Sequence, residues 1–146
     1  MTDTLPPALA EIRDDILSVE GADRLHMLVE IGDELPPAPE PYASDPSQAE
    51  RVTECQSPVF IAIEVVDDIV TMHAIAPAEA PTTRGFATIL AQGISGAPRA
   101  QVLAIPDDFP TTLGLGALVS PLRISGMVGM LRRAKRQVAA QAQVTG

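Results

Sequence analysis

The chain has 146 residues, 46% of them hydrophobic, 20% charged and only 3% aromatic, with no tryptophan. That length and composition suit one globular domain with an aliphatic core, and a net charge of −9 makes nucleic acid an unsuitable partner. A single cysteine excludes an internal disulfide and fits a reducing cytoplasmic setting, and no apolar run of about 18 residues is present to cross a membrane.

The first ten residues lack the basic start and apolar stretch of a secretory signal. Leu9, Ile12, Ile16 and Leu17 recur at helical spacing, so residues 5–20 read as a helix opened by Pro6 and Pro7. Gly21 interrupts it. A second helix starts near Asp23, shares Leu25, Leu28, Val29 and Gly32 on one face, and stops at Gly32. Residues 35–49 hold five prolines, at positions 36, 37, 39, 41 and 46. Proline has no amide donor and a fixed φ, so this stretch reads as an extended, polyproline-like structured loop. The β-branched residues 58–66 form a strand, Asp67 and Asp68 a turn, and 69–76 the return strand; a short third strand is expected around 50–53. Thr83 is a candidate cap for a helix bearing Phe86, Ile89, Leu90 and Ile94, and Pro98 opens a shorter one with Val102 and Leu103. Ser120 and Pro121 form a cap and first-position pair for a last helix that places Met127, Met130, Leu131, Ala134 and Val138 on one stripe. Gly126 and Gly129 permit close helix packing. The basic residues Arg132, Arg133, Lys135 and Arg136 read as a solvated face of this helix. Helices, an antiparallel sheet, then helices define an α+β class.

Little of the usual catalytic vocabulary is present. His26 and His73 lie in different elements and read as structural, without the spacing of a zinc site. One thiol is too few to hold an iron–sulfur cluster unaided. There is no phosphate loop and no nucleophile elbow. Cys55 remains, on a predicted loop leading into a strand and flanked by Thr53, Glu54, Gln56 and Ser57. A lone cysteine is commonly a small buried hydrophobe, while loops beside rigid strands commonly carry reactive groups. The local residues suit both.

Three blocks carry a family resemblance. Glu30-Ile31-Gly32-Asp33-Glu34-Leu35-Pro36 followed by Val52-Thr53-Glu54-Cys55-Gln56-Ser57-Pro58-Val59-Phe60 resembles the SufE family, with its Leu-Pro segment and its Cys-Gln-Ser motif feeding a strand. Leu113-Gly114-Leu115 and then Leu118-Val119-Ser120-Pro121-Leu122-Arg123-Ile124-Ser125-Gly126-Met127 is similar to its C-terminal signature. Between them, Arg84-Gly85 is similar to a basic-Gly pair of the family. The resemblance spans about residues 8–140. It implies a single SufE/IscU-like domain over 1–146, with a small antiparallel three-stranded sheet flanked by helices. It also implies a sulfur acceptor and activator of a SufS-type cysteine desulfurase, feeding an iron–sulfur cluster scaffold. The pyridoxal phosphate (PLP) belongs to that partner, so no cofactor is expected on this chain, as a monomer or homodimer.

On this resemblance Cys55 accepts persulfide sulfur. An attacking thiol works best with a pKa near ambient pH, so a cation is expected beside it; Arg123 is the first candidate and Arg84 the second, against ordinary ion pairing for either. Gln56 and Ser57 either hydrogen-bond the sulfur or shape the turn. Many members have glycine where this chain has Glu54, which adopts a left-handed backbone less readily and, as a neighbouring carboxylate, disfavours the thiolate. Two other readings stand beside sulfur transfer: a module that docks on a desulfurase and activates it allosterically without carrying sulfur, and a thiol peroxidase or hydrolase.

Overall fold

The computed structural model describes residues 5–144. Two antiparallel strands, β2 (Phe60–Val66) and β3 (Ile69–Ile75), pair from Phe60 opposite Ile75 to Val66 opposite Ile69. Asp67 and Asp68 turn the chain with φ of 52° and 69°, the left-handed pair that a two-residue hairpin requires. Period-two alternation puts Ile61, Ile63 and Val65 on one face with Ala74, Met72 and Val70 opposite them, and most of these are buried. β1 (Glu50–Arg51) adds a two-residue edge beside Phe60 and Ile61, shorter than the expected strand. Beyond it the edge of β2 is completed by side chains. The amides of Ile63 and Val65 donate to Gln137 Oε1 at 2.9 Å and Gln141 Oε1 at 3.0 Å, so these edge donors are satisfied without another strand.

The helices follow the predicted order: α1 (Pro7–Leu17), α2 (Ala22–Gly32), α3 (Pro81–Ile94), α4 (Arg99–Leu103) and α5 (Pro121–Val144). α3 packs on β3 and α5 on β2, while α1 and α2 both lean on α3. α3 is accordingly the most buried helix, with Phe86, Ile89, Leu90 and Ile94 fully enclosed. It opens at Pro81 rather than at Thr83, which lies inside it, and no side chain caps it; proline already has the φ of a first helical residue and lacks the amide a cap would satisfy. In α5 the predicted stripe from Met127 to Val138 is buried, and Ser120 Oγ accepts the Arg123 amide at 3.3 Å. Residues 35–49 form an irregular segment ending in a 3-10 turn at Pro46–Gln48. It brings the Tyr42 ring to 5.9 Å from that of His73 on the outer face of the sheet. No helix among the described residues is long and apolar enough to cross a membrane.

Two expectations for α5 change. Gly126 and Gly129 do not seat another helix: a Cβ on Gly126 would lie 3.3 Å from Cys55 Sγ, and one on Gly129 would lie 2.6 Å from Glu54 Cγ and Cδ. The glycines make room for the loop that carries the cysteine. Nor is the basic stretch simply solvated. Arg133 and Arg136 bind Glu50, and Lys135 binds Asp107 at 2.9 Å and the Ile105 carbonyl at 2.6 Å. The acids that these cations meet come from distant parts of the chain, which helical periodicity does not register.

Candidate functional site: a thiol at a cavity wall

Between β1 and β2 the chain makes a short loop whose ends are tied together. The Val52 amide donates to the Val59 carbonyl at 2.8 Å, and both valines are fully buried. Within it the Cys55 amide donates to the Val52 carbonyl at 3.1 Å, which turns the cysteine inward. Glu54 does not take the left-handed backbone; among the described non-glycine residues only Asp67 and Asp68 do so. The thiol is 9% exposed and contacts the Gly126 carbonyl oxygen at 3.8 Å, the reach of a weak S–H donor.

A cavity of about 300 Å³ opens beside this thiol. Met127 and Met130 of α5 line it with Leu122, which is 57% exposed; Glu79, Thr83, Ser120 and Arg123 supply polar lining. Of the predicted site residues, Cys55, Gln56, Ser57 and Arg123 meet in this one space. Arg123 is exposed, and its side chain enters no ion pair among the described residues. Gln56 and Ser57 line the cavity, but the polar contact of the sulfur is to Gly126 rather than to either of them.

Arg84 is elsewhere. Its Nε donates to the Gly32 carbonyl at 3.0 Å and its Nη1 to the Ala76 carbonyl at 2.6 Å. It lines a separate cavity with Val29, Asp33 and Pro81. Two backbone acceptors explain why a cation stands there without touching the thiol.

The cation that does reach the cysteine loop is Arg133. Its Nε donates to Glu54 Oε1 at 2.7 Å, Nη1 to Glu50 Oε2 at 2.6 Å and Nη2 to Thr53 Oγ1 at 2.8 Å. One planar guanidinium can serve three acceptors in this way because its donors point along separate fixed directions. The Arg133 hydrogen bond holds the Glu54 carboxyl below its ordinary value against slight desolvation. For Glu50, burial pushes upward, but hydrogen bonds from Gln137, Arg136 and Arg133 bring the carboxyl below its ordinary value. At Cys55, burial pushes the thiol above its ordinary value, the Glu54 charge adds to this, and Arg133 opposes both. The resting sulfur is thus a protonated thiol at neutral pH. Sequence reasoning missed Arg133. The available signal was its spacing: it lies four residues after Gly129 and seven after Gly126, on the face of α5 from which side chains are missing.

The histidines stay outside the site. His73 pairs with Glu64 at 2.9 Å, and His26 lies 3.9 Å from Asp23. No group of three or more metal-ligating side chains occurs among the described residues.

Comparison with known proteins agrees with this architecture. The family model described as "SufE: Fe-S metabolism associated domain" matches residues 10–138, which supports a role in iron–sulfur metabolism. The chain is 51% identical over 136 residues to a protein of Mycobacterium tuberculosis described as an uncharacterized SufE-like protein, covering 92% of this chain and 94% of that one. It is 30% identical over 129 residues to SufE-like protein 1, chloroplastic/mitochondrial, of Arabidopsis thaliana, covering 88% of this chain and 34% of the plant protein. The solution structure of a hypothetical protein from Thermus thermophilus superposes with a TM-score of 0.83 at 32% identity, covering 95% of this chain and 98% of that one.

Proposed function

The chain belongs to the SufE family, and from that premise we propose that Cys55 accepts sulfur from the persulfide of a SufS-type cysteine desulfurase and relays it to an iron–sulfur cluster scaffold. The observation that carries the reading is the chain's one thiol set in the wall of a cavity that it shares with Arg123. The Cys55 thiol first loses its proton. Its thiolate then attacks the outer sulfur of the partner's persulfide, the partner's S–S bond breaks, and the partner's thiolate leaves and takes up a proton. Sulfur changes hands with no net oxidant. PLP chemistry takes place on the partner, and the exchange belongs in the cytoplasm, where thiols stay reduced.

In the free protein the buried thiol is poorly ionised. Attack therefore calls for movement of the loop toward the partner, where desolvation by the core is relieved and Arg123, on the same cavity, supplies positive charge to the reacting sulfur. The enclosed position also shields a persulfide from solvent. Gln56, exposed beside the thiol, and Ser57, half-buried on the same cavity, are placed to meet the partner.

Intact mass after mixing with a desulfurase and L-cysteine tests this. A gain of one sulfur, about 32 Da, on the native chain and none on Cys55→Ser is the expected result; no gain on the native chain overturns it. The raised pKa of Cys55 favours one second reading, a docking module that activates a desulfurase without carrying sulfur. Under that reading Cys55→Ser stimulates the partner's sulfide release fully; under sulfur transfer it does not.

A further inference from the structure

We propose that Arg133 and Glu54 form a latch that holds the Cys55 loop against α5, and that Gly129 is the seat into which the latch closes. The inference rests on the proposed function only in that a thiol that must travel needs something to keep it at rest.

The loop is held unevenly. Its ends are fixed by the bond between Val52 and Val59. Its first half is bound by the Arg133 guanidinium through Thr53 and Glu54, and the same guanidinium is anchored by Glu50 on β1. Its second half has no such tie: among the described residues no hydrogen bond engages the side chains of Gln56 or Ser57, and Gln56 and Pro58 are exposed. The loop is therefore built to hinge about its second half once the first is released. The thiol adds little to the hold, since its contact with Gly126 is long and a sulfur donor is weak.

The latch can come undone for two reasons. All its loop contacts are made by side chains, so breaking them leaves no buried backbone group unpaired. The Glu54 side chain is 40% exposed and that of Arg133 20%, so water can replace each partner. The closed form of the latch, in turn, depends on Gly129: Glu54 lies across this position so closely that a methyl group there would fall 2.6 Å from its Cγ and Cδ and 2.9 Å from its Cβ. Only a bare helix position accepts the closed form. A partner offering a cation to Glu54, or an acid to Arg133, would open it on docking and release the thiol at the moment of contact.

Alkylation of Cys55 by iodoacetamide in the free native protein, followed across pH and well below the unfolding temperature, tests the latch without any desulfurase. The pH midpoint reports the charge around the sulfur, and the limiting rate at high pH reports how often the loop opens. Glu54→Gln and Gly129→Ala are each expected to raise the limiting rate about tenfold, the scale of losing a charge-assisted hydrogen bond. Gly129→Ala does so with every charge retained. Arg133→Lys, which keeps the charge but not the three-way fork, falls between native and Arg133→Gln. A residue that merely stabilises the fold moves the melting temperature and leaves the limiting rate alone. Native limiting rates in both Glu54→Gln and Gly129→Ala overturn the latch, whatever the persulfide mass experiment returns. Failure of sulfur transfer beside accelerated alkylation leaves the latch standing and removes only the proposed function.

Discussion

Two places in this molecule are built from similar parts. Where α2 crosses α3, Gly32 and Gly85 let the backbones touch, and Arg84 spans the crossing. Where α5 meets the cysteine loop, Gly126 and Gly129 make the room, and Arg133 spans the contact. The difference lies in what each arginine holds. Arg84 donates to the carbonyls of Gly32 and Ala76. Arg133 donates to the side chains of Glu50, Thr53 and Glu54. A backbone acceptor in a packed seam has no alternative partner, so that contact is permanent. A carboxylate on a partly exposed loop can turn to water, so that contact is reversible. The glycines divide in the same way: a Cβ on Gly85 would overlap the Leu28 carbonyl oxygen and press on its side chain, whereas the nearest atoms to one on Gly129 are those of the Glu54 side chain.

The sharpest way to break the comparison is to fill both seats. Gly85→Ala is expected to cost about 3 kcal/mol or more, since the obstruction is backbone in a packed core. Gly129→Ala is expected to stay within about 1 kcal/mol of native, because alanine's helix propensity offsets the displaced Glu54. Urea unfolding of the two variants checks this, and equal losses would erase the distinction. Next in size, Arg84→Gln should lose about 1–3 kcal/mol of stability, from carbonyls left without their donor, while persulfide formation on the folded fraction stays native.

Arg123→Gln sharpens the contrast from the other side. It should lower the rate of sulfur gain on Cys55 about tenfold, or about 1.4 kcal/mol in the barrier, and leave the unfolding midpoint within about 0.5 kcal/mol of native, because its side chain is exposed. Single-turnover mass measurements and denaturation together separate the two readouts.

The smallest expected effects are those of pH. Glu50 and Glu54 titrate below their ordinary value of 4.5 in the folded chain. Their contribution is therefore present above that value and lost as pH falls through the lower folded value. Arg133→Gln should reduce the loss of stability between neutral and acid pH by less than about 1 kcal/mol, in line with partly exposed pairs. Cys55 acts at the other end. Its folded value lies above the ordinary 9.0, so its contribution is complete below pH 9.0 and is lost as pH rises through the folded value. Cys55→Ser should flatten that alkaline decline in denaturation midpoint.

Most elements could be read from local pattern. The hairpin follows from β-branched alternation around two aspartates, α5 from its apolar stripe at helical spacing, and the α2 boundary from Gly32. Cys55 stood out because it is the chain's one thiol and sits in a motif whose residues are contiguous. The cavity was less legible, since Glu79, Thr83, Leu122 and Met130 come from separated segments and meet only when α3 and α5 pack about the loop. Arg84 and Arg133 show the limit most plainly. From sequence each is a basic residue on a helix; Arg84, a candidate thiol partner, lies away from the thiol on the carbonyls of Gly32 and Ala76, and Arg133, read as solvated, binds Thr53 and Glu54 of the cysteine loop.

Contiguous residues determined the elements, the class and the candidate thiol, because backbone propensity and apolar periodicity act over a few positions along the chain. Tertiary packing alone decided which arginine meets the cysteine loop, why two glycines of α5 are bare, and how deeply the thiol rests. Those outcomes depend on charge and volume brought together across about 70 to 90 residues of sequence, a separation over which no local pattern carries information.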